Sequence, residues 1–270
     1  MKLSYVLSTQ QTQFQAVAFQ NDFDTALARL AALGYDGVEL AVRDPASLDS
    51  RALRAALDRH RLPVSAIGTG QAYVEEKLSF TDDASVVRER ALFRVKSHIT
   101  LARELNALLI IGLIRGKTDA RADTQKSRTW LVNALASIAR TASESDVRIV
   151  IEPINRYETN LLNTVAETLE LLETLEADNV GVLFDTFHAN IEEPSIEASL
   201  RACVARLFHV HLADSNRWAP GFWHTDCARL IATLREMRYD GWLSAEILPK
   251  PSAEQAMEQT VRVLRPLIEK

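Results

Sequence analysis

The run Val147-Arg148-Ile149-Val150-Ile151-Glu152-Pro153-Ile154 is a strand-length block of apolar residues that ends in a carboxylate. Three later runs share this form. Residues 180–187 carry Asp185 near their end, 206–212 carry His211 and 241–248 carry Glu246, so four metal-capable side chains follow one another at intervals of 33, 26 and 35 residues. Each interval is about one strand plus one helix, the repeating unit of barrels that run to roughly 250 residues. In neighbouring parallel strands of a closed barrel, residues this distant in sequence meet at a single carboxyl-terminal mouth.

Upstream, residues 3–8, 37–42, 63–68 and 107–114 read as four more strands, and segments of helical period follow each of the eight runs. The helical segments include 22–33, 84–105, 165–175 and 253–268, and in 84–105 the period sets Val86, Val87, Leu92 and Val95 on one side. Runs nearly continuous in Val, Ile and Leu suit parallel strands buried on both faces. The expected fold is therefore α/β, a single (β/α)8 TIM barrel over residues 1–270. An open doubly wound sheet normally needs a Gly-rich phosphate turn after its first strand, and Ser8-Thr9-Gln10-Gln11 offers none. Residues 69–83 form the one long connection of weak periodicity and are expected to fold over the mouth.

With 270 residues, 47% of them apolar, the chain can bury a large core as one domain. Its net charge of −5, with no basic stripe interleaved with aromatics, removes the attraction that drives nucleic-acid binding. Cys203 and Cys227 lie in no CxxC or Cys/His cluster, which points to two ordinary thiols in a reducing compartment. The first apolar stretch is too short for a signal peptide and the longest, 107–114, far too short for a membrane span, so a cytoplasmic protein without membrane or nucleic-acid partners is expected.

Strand alternation makes Val150 and Glu152, Leu183 and Asp185, His209 and His211, and Ser244 and Glu246 same-face pairs, so each run aims its ligand inward. Three carboxylates and an imidazole gathered together call for a cation. A set rich in oxygen and free of thiolate suits one divalent ion, Mn²⁺ first, with Mg²⁺, Co²⁺ or Zn²⁺ as alternatives. Such an ion polarises a carbonyl and stabilises the enediolate left when a neighbouring carbon loses its proton. Glu152 and Glu246 can flank that plane as two bases. Glu158, His188 and Arg217 follow the ligands closely and are candidate substrate contacts, Arg217 also being a partner for Glu246 or Asp214. Arg43 and Arg115, at the ends of the second and fourth runs, are candidates to hold a substrate carboxylate or phosphate. His209 reads as a hydrogen-bonded core histidine, and His60 and His98 receive no function.

The strings Glu152-Pro153-Ile154-Asn155-Arg156-Tyr157-Glu158, Asp185-Thr186-Phe187-His188 and His209-Val210-His211-Leu212-Ala213-Asp214-Ser215-Asn216-Arg217, closed by Glu246, resemble the sugar isomerase/epimerase superfamily of xylose-isomerase-like barrels. Its ketose 3-epimerase branch is nearest in mechanism. Val42-Arg43-Asp44-Pro45, Ala66-Ile67-Gly68-Thr69-Gly70-Gln71-Ala72-Tyr73, Ile111-Gly112-Leu113-Ile114-Arg115-Gly116 and Ser215-Asn216-Arg217-Trp218-Ala219-Pro220-Gly221 look more narrowly like 5-keto-L-gluconate epimerases. The resemblance implies metal ligation by Glu152, Asp185, His211 and Glu246, acid-base work by Glu152 and Glu246, and substrate-hydroxyl contacts from Glu158, His188 and Arg217. It further implies a keto sugar or keto sugar acid as the small-molecule partner, with Asp214 and Trp218 favouring the acid. A hydroxypyruvate-type isomerase or an inosose dehydratase would keep the four ligands and change only the substrate loops. An endonuclease-like role would need more histidines and a basic face, and a non-catalytic role would tolerate loss of either glutamate. Residues 218–223 are expected either to cover the active site of a neighbour in a homo-oligomer or to close over the substrate of their own chain.

Overall fold

In the computed structural model, which describes residues 1–13, 15, 16, 23–118 and 124–269, eight parallel strands close into a barrel in sequence order. The strands are β1 (Lys2–Ser8), β2 (Gly37–Ala41), β3 (Val64–Gly68), β4 (Leu108–Ile111), β5 (Ile149–Ile151), β6 (Val180–Asp185), β7 (Leu207–His211) and β8 (Trp242–Ala245). The helices are α1 (Phe23–Leu33), α2 (Ser50–His60), α3 (Gly70–Glu76), α4 (Ser85–Leu105), α5 (Thr124–Glu144), α6 (Val165–Leu175), α7 (Thr186–Glu192), α8 (Ile196–Ala202), α9 (Cys227–Glu236) and α10 (Ala253–Ile268). All eight expected strands are present. The helix expected over 22–33 begins at Phe23, Asp22 lying outside the described residues. No helix among the described residues is long and apolar enough to cross a membrane.

The strands are shorter than the apolar runs that announced them. Pairing in β4 stops at Ile111, where Gly112 turns the chain into a 3₁₀ turn over Leu113–Arg115, and β5 stops before Glu152. Beyond these points the runs stay apolar because the loops over the mouth have a core of their own: Ile114, Ile154, Leu212 and Ile247 are all buried. The sixth run, read as strand to residue 187, ends at Asp185 because that carboxylate accepts from Phe187 N and caps a helix that starts at once. Residues 69–83 likewise contain α3. On α4 the buried face holds Ala91, Val95, His98, Ile99 and Ala102, whereas Val86, expected among them, is exposed. The barrel lies beneath only the later turns of this helix, so the period at its start does not report burial.

Two apolar layers hold the architecture. The larger joins the outer strand faces to the helices. The smaller, Ala66, Leu108, Ile110, Val150 and Leu183, fills the barrel interior beneath the mouth. Val150 and Leu183 sit two residues before Glu152 and Asp185, so the alternation that buries them also turns the two carboxylates into the interior. A buried aliphatic side chain of this kind contributes about 1.5–3 kcal/mol. β6 and β7 are in register at Asp185 and His211, which sets these two ends side by side.

Candidate active site

Asp185 and His211 are the last residues of β6 and β7, while Glu152 and Glu246 directly follow β5 and β8. One ligand atom from each lies within 4.8 Å of the other three. His211 Nδ1 stands 3.7 Å from Glu152 Oε1, 3.7 Å from Asp185 Oδ2 and 3.8 Å from Glu246 Oε2. Glu152 Oε1, Asp185 Oδ2 and His211 Nδ1 are buried without a hydrogen-bond partner. An orphaned buried acceptor costs about 1–3 kcal/mol and more when charged, so three converging orphans fit a shared cation far better than an empty space. Three oxygens and one imidazole nitrogen suit a divalent ion of hard or borderline character.

The imidazole is aimed from behind by a residue that sequence reasoning passed over. Glu39, in the middle of β2 and 1% exposed, receives His211 Nε2 at 3.0 Å and His209 Nε2 at 2.8 Å. With Nε2–H committed to Glu39, Nδ1 is the nitrogen that could ligate a metal ion, the usual outer arrangement around a metal-bound histidine. Burial opposes charge on Glu39, but the adjacent His211 and His209 hold its carboxyl well below the usual range. Burial also opposes charge on His211, and there the charge of Glu39 and the surrounding carboxylates win, raising it well above the ordinary imidazole value in the metal-free site, where a proton on Nδ1 would take the place of a cation. A signal for Glu39 existed: a carboxylate between Val38 and Leu40 in an apolar strand demands a buried partner. His209 is fully buried on Glu39, a core histidine in the sense expected of it.

Gly112 directly follows β4. A Cβ at this position would lie 2.8 Å from Glu152 Oε2, so the missing side chain is what lets the carboxylate settle over the end of β4. Asn155 was passed over as well. Its Nδ2 donates to Glu158 Oε1 at 2.9 Å and lies 2.7 Å from His188 Nδ1. His188 Nδ1 is therefore the acceptor, and the network places the ring proton on Nε2, which faces Glu152 Oε1 at 3.7 Å and Asp185 Oδ2 at 3.8 Å. His188 belongs to α7, one turn beyond the cap at Asp185. Burial lowers its pKa, favouring a neutral donor.

Arg217 links the two sides of this group. Its guanidinium bonds Glu246 Oε2, reaches Glu158 Oε1 at 3.4 Å and lies over the Phe187 ring at 4.9 Å. The backbone is left-handed here, with φ 63°, and Asp214 holds it so. The Asp214 carboxylate accepts from the amides of Ser215, Gly221, Trp223 and Thr225 at 2.8–2.9 Å, folding residues 214–225 around one buried anion. Burial pushes the Glu246 carboxyl up to about 7, against the pull of Arg217 and His211 and with the help of Glu152 and Asp185. That value belongs to the metal-free site, since a dication among these oxygens draws it down.

Two expected substrate contacts are placed elsewhere. Arg115 is fully buried and donates to the carbonyls of Leu161, Leu162 and Glu152, which ties the end of β4 to the loop after β5. Burial lowers it to about 10, the charge of Glu152 partly offsetting this. Arg43 lies 4.0 Å from Glu76 and does not border the cleft. Strand-end position was common to both arginines, but the direction of a long side chain is set by its partners. The cleft is bordered by Glu152, Glu158, His188, His211, Arg217 and Glu246 on one side, and by Val6, Thr69, Gln71, Ile110 and Leu113 on the other.

Residues 27–267 match the family described as the xylose isomerase-like TIM barrel. The chain belongs to this family. Within it, the chain is 30% identical over 246 residues to the L-ribulose 3-epimerase of Methylomonas sp. (strain DH-1), covering 90% of this chain and 84% of the relative. The L-ribulose 3-epimerase of Mesorhizobium japonicum is 28% identical over 94% of this chain and 85% of its own. These relatives set the chain in the ketose 3-epimerase branch of the xylose isomerase-like family. A D-allulose 3-epimerase of Methylomonas sp. has the same fold, with a TM-score of 0.83 at 23% identity over 99% of this chain and 98% of that one.

Proposed function

We propose that this xylose isomerase-like barrel is a divalent-metal-dependent carbohydrate epimerase that inverts the carbon next to the carbonyl of a keto sugar. The carrying observation is the convergence of Glu152 Oε1, Asp185 Oδ2 and His211 Nδ1, buried and unpartnered, with Glu246. Glu152, Asp185, His211 and Glu246 would hold the ion, with Mn²⁺ the first choice. When bound, it supplies a Lewis acid that polarises the substrate carbonyl.

Glu152 and Glu246 come from strands on either side of the β6–β7 pair, which suits the removal of a proton from one face of a planar enediolate and its return to the other. Positioned bases of this kind contribute about 10²–10⁴-fold each. Arg217 orients Glu246, and the Nε2–H of His188 is a donor for a substrate oxygen beside Glu152. Glu158, bonded by Asn155 and Arg217, offers an acceptor to a substrate hydroxyl. The relatives named above are 3-epimerases of keto sugars, which supports the same reaction class here.

In its finer form the proposal interconverts 5-keto-L-gluconate and D-tagaturonate, and the resemblance of residues 66–73 and 215–221 supports it. Of the three arginines considered, only Arg217 borders the cleft, so a substrate carboxylate would share it with Glu158 and Glu246. Turnover of neutral ketoses and keto sugar acids in D₂O tests both levels. One solvent deuterium at the inverted carbon is expected; unlabelled product would exclude the enediolate route, and an unsaturated ketone absorbing in the near ultraviolet would make the enzyme a dehydratase. A clear preference for neutral ketoses would remove the sugar-acid assignment and leave the epimerase.

A further inference from the structure

Facing the acidic quartet, the ends of β1 and β3 form an uncharged wall, β3 lying four strands from β7 around the closed ring. Gln71, in the first turn of α3, is 2% exposed and borders the cleft. Its Nε2 donates to Ser8 Oγ at 2.8 Å. The same oxygen accepts from Gln10 N at 3.3 Å and donates its single proton to Gln10 O. A hydroxyl whose proton is already committed can face only the nitrogen of the amide, so the side chain is fixed in one orientation. The other end of the amide, Gln71 Oε1, is then a buried acceptor without a partner. Nearby Thr69 does not supply a donor, because its hydroxyl donates to Ile110 O at 2.8 Å. Gly70 also borders the cleft, and an added Cβ there would meet nothing within 4 Å.

We infer that Gln71 Oε1 accepts a hydrogen bond from a substrate hydroxyl on a carbon remote from the one inverted, which makes Gln71 a specificity-determining residue. This rests on the keto sugar reading above. A ketone or carboxylate oxygen carries no proton to share with an acceptor, so the group read here is a hydroxyl whether the substrate is a neutral sugar or a sugar acid. Ser8 acts as the positioning residue that keeps the acceptor turned toward the cleft.

The test uses the metal-loaded enzyme, the keto sugar it turns over fastest, and analogues each lacking one hydroxyl away from the reacting carbons. For the wild type, kcat/KM is expected to fall about 10–100-fold on one analogue, because the buried acceptor is again left unpaired. Gln71→Met should lower kcat/KM for the complete sugar by a similar factor, mainly through KM, and treat that analogue like the parent. Gln71→Asn withdraws the acceptor and should lose the discrimination, which preserves the test if the Met variant does not fold. Discrimination unchanged in the Met or Asn variant, or absent from the wild type, overturns the role of Gln71 while leaving the epimerase reading intact. Failure of the wild type to turn over any keto sugar overturns both.

Discussion

The two halves of the barrel mouth divide the work. Strands β5 to β8 run into charged groups, and three of these leave hydrogen-bonding needs unmet, at Glu152 Oε1, Asp185 Oδ2 and His211 Nδ1. Of strands β1 to β4, β1 ends in Ser8 and β3 runs into Thr69, neutral groups that bond to backbone carbonyls. The one buried carboxylate of these four strands, Glu39, crosses the interior to reach β7. On the proposed reading, unmet charges mark where a cation and reaction chemistry belong, and a neutral wall whose open acceptor is Gln71 Oε1 marks where shape and hydroxyl groups are read. The difference also explains the fate of the arginines. Arg217 lies among the carboxylates of the charged half, whereas Arg115 is held by backbone carbonyls and Arg43 lies near Glu76 outside the cleft.

The largest blow to this division comes from Glu246→Gln. It should keep the fold, measured by circular dichroism and thermal melting, while kcat falls about 10²–10⁴-fold. The same variant sharpens the electrostatics. In the metal-free protein a carboxyl raised from 4.5 to about 7 binds more protons folded than unfolded, so its contribution to stability is present below pH 4.5 and lost as pH rises through 7. Melting curves of the metal-free wild type should lose stability over this window relative to Glu246→Gln, and Mn²⁺ should reduce the difference. A wild type and variant with parallel pH profiles would contradict the assigned burial.

Glu39→Gln carries the comparison into the neutral half. Weakening the support behind His211 should reduce metal affinity about 10–100-fold in calorimetric titration, an effect that a residue serving only the barrel core would not produce. Gly112→Ala should be milder, about tenfold in kcat, because the new methyl displaces the Glu152 carboxylate without unfolding β4. Arg43→Ala should change kcat/KM by less than about twofold, as for a surface ion pair. A large loss there would bring Arg43 back as a substrate contact.

Much of the charged half was legible in the sequence because each ligand ends an apolar run, and strand alternation turns it inward together with Val150, Leu183 or His209. The barrel itself was legible for the same reason. Glu39 was harder to read, since its partner His209 is 170 residues away and only folding brings them together. The direction of Arg115 was hidden because three carbonyls from two other segments determine it. Helix α7 was obscured by an apolar run that continues past Asp185, where a local cap overrides the strand pattern.

The most direct measurement is anomalous diffraction at the manganese edge from crystals soaked in Mn²⁺, paired with turnover before and after EDTA. A single peak among Glu152, Asp185, His211 and Glu246, with activity lost to EDTA and restored by Mn²⁺, is expected. No peak among these four side chains, together with activity that survives complete chelation, would contradict the metal-dependent mechanism.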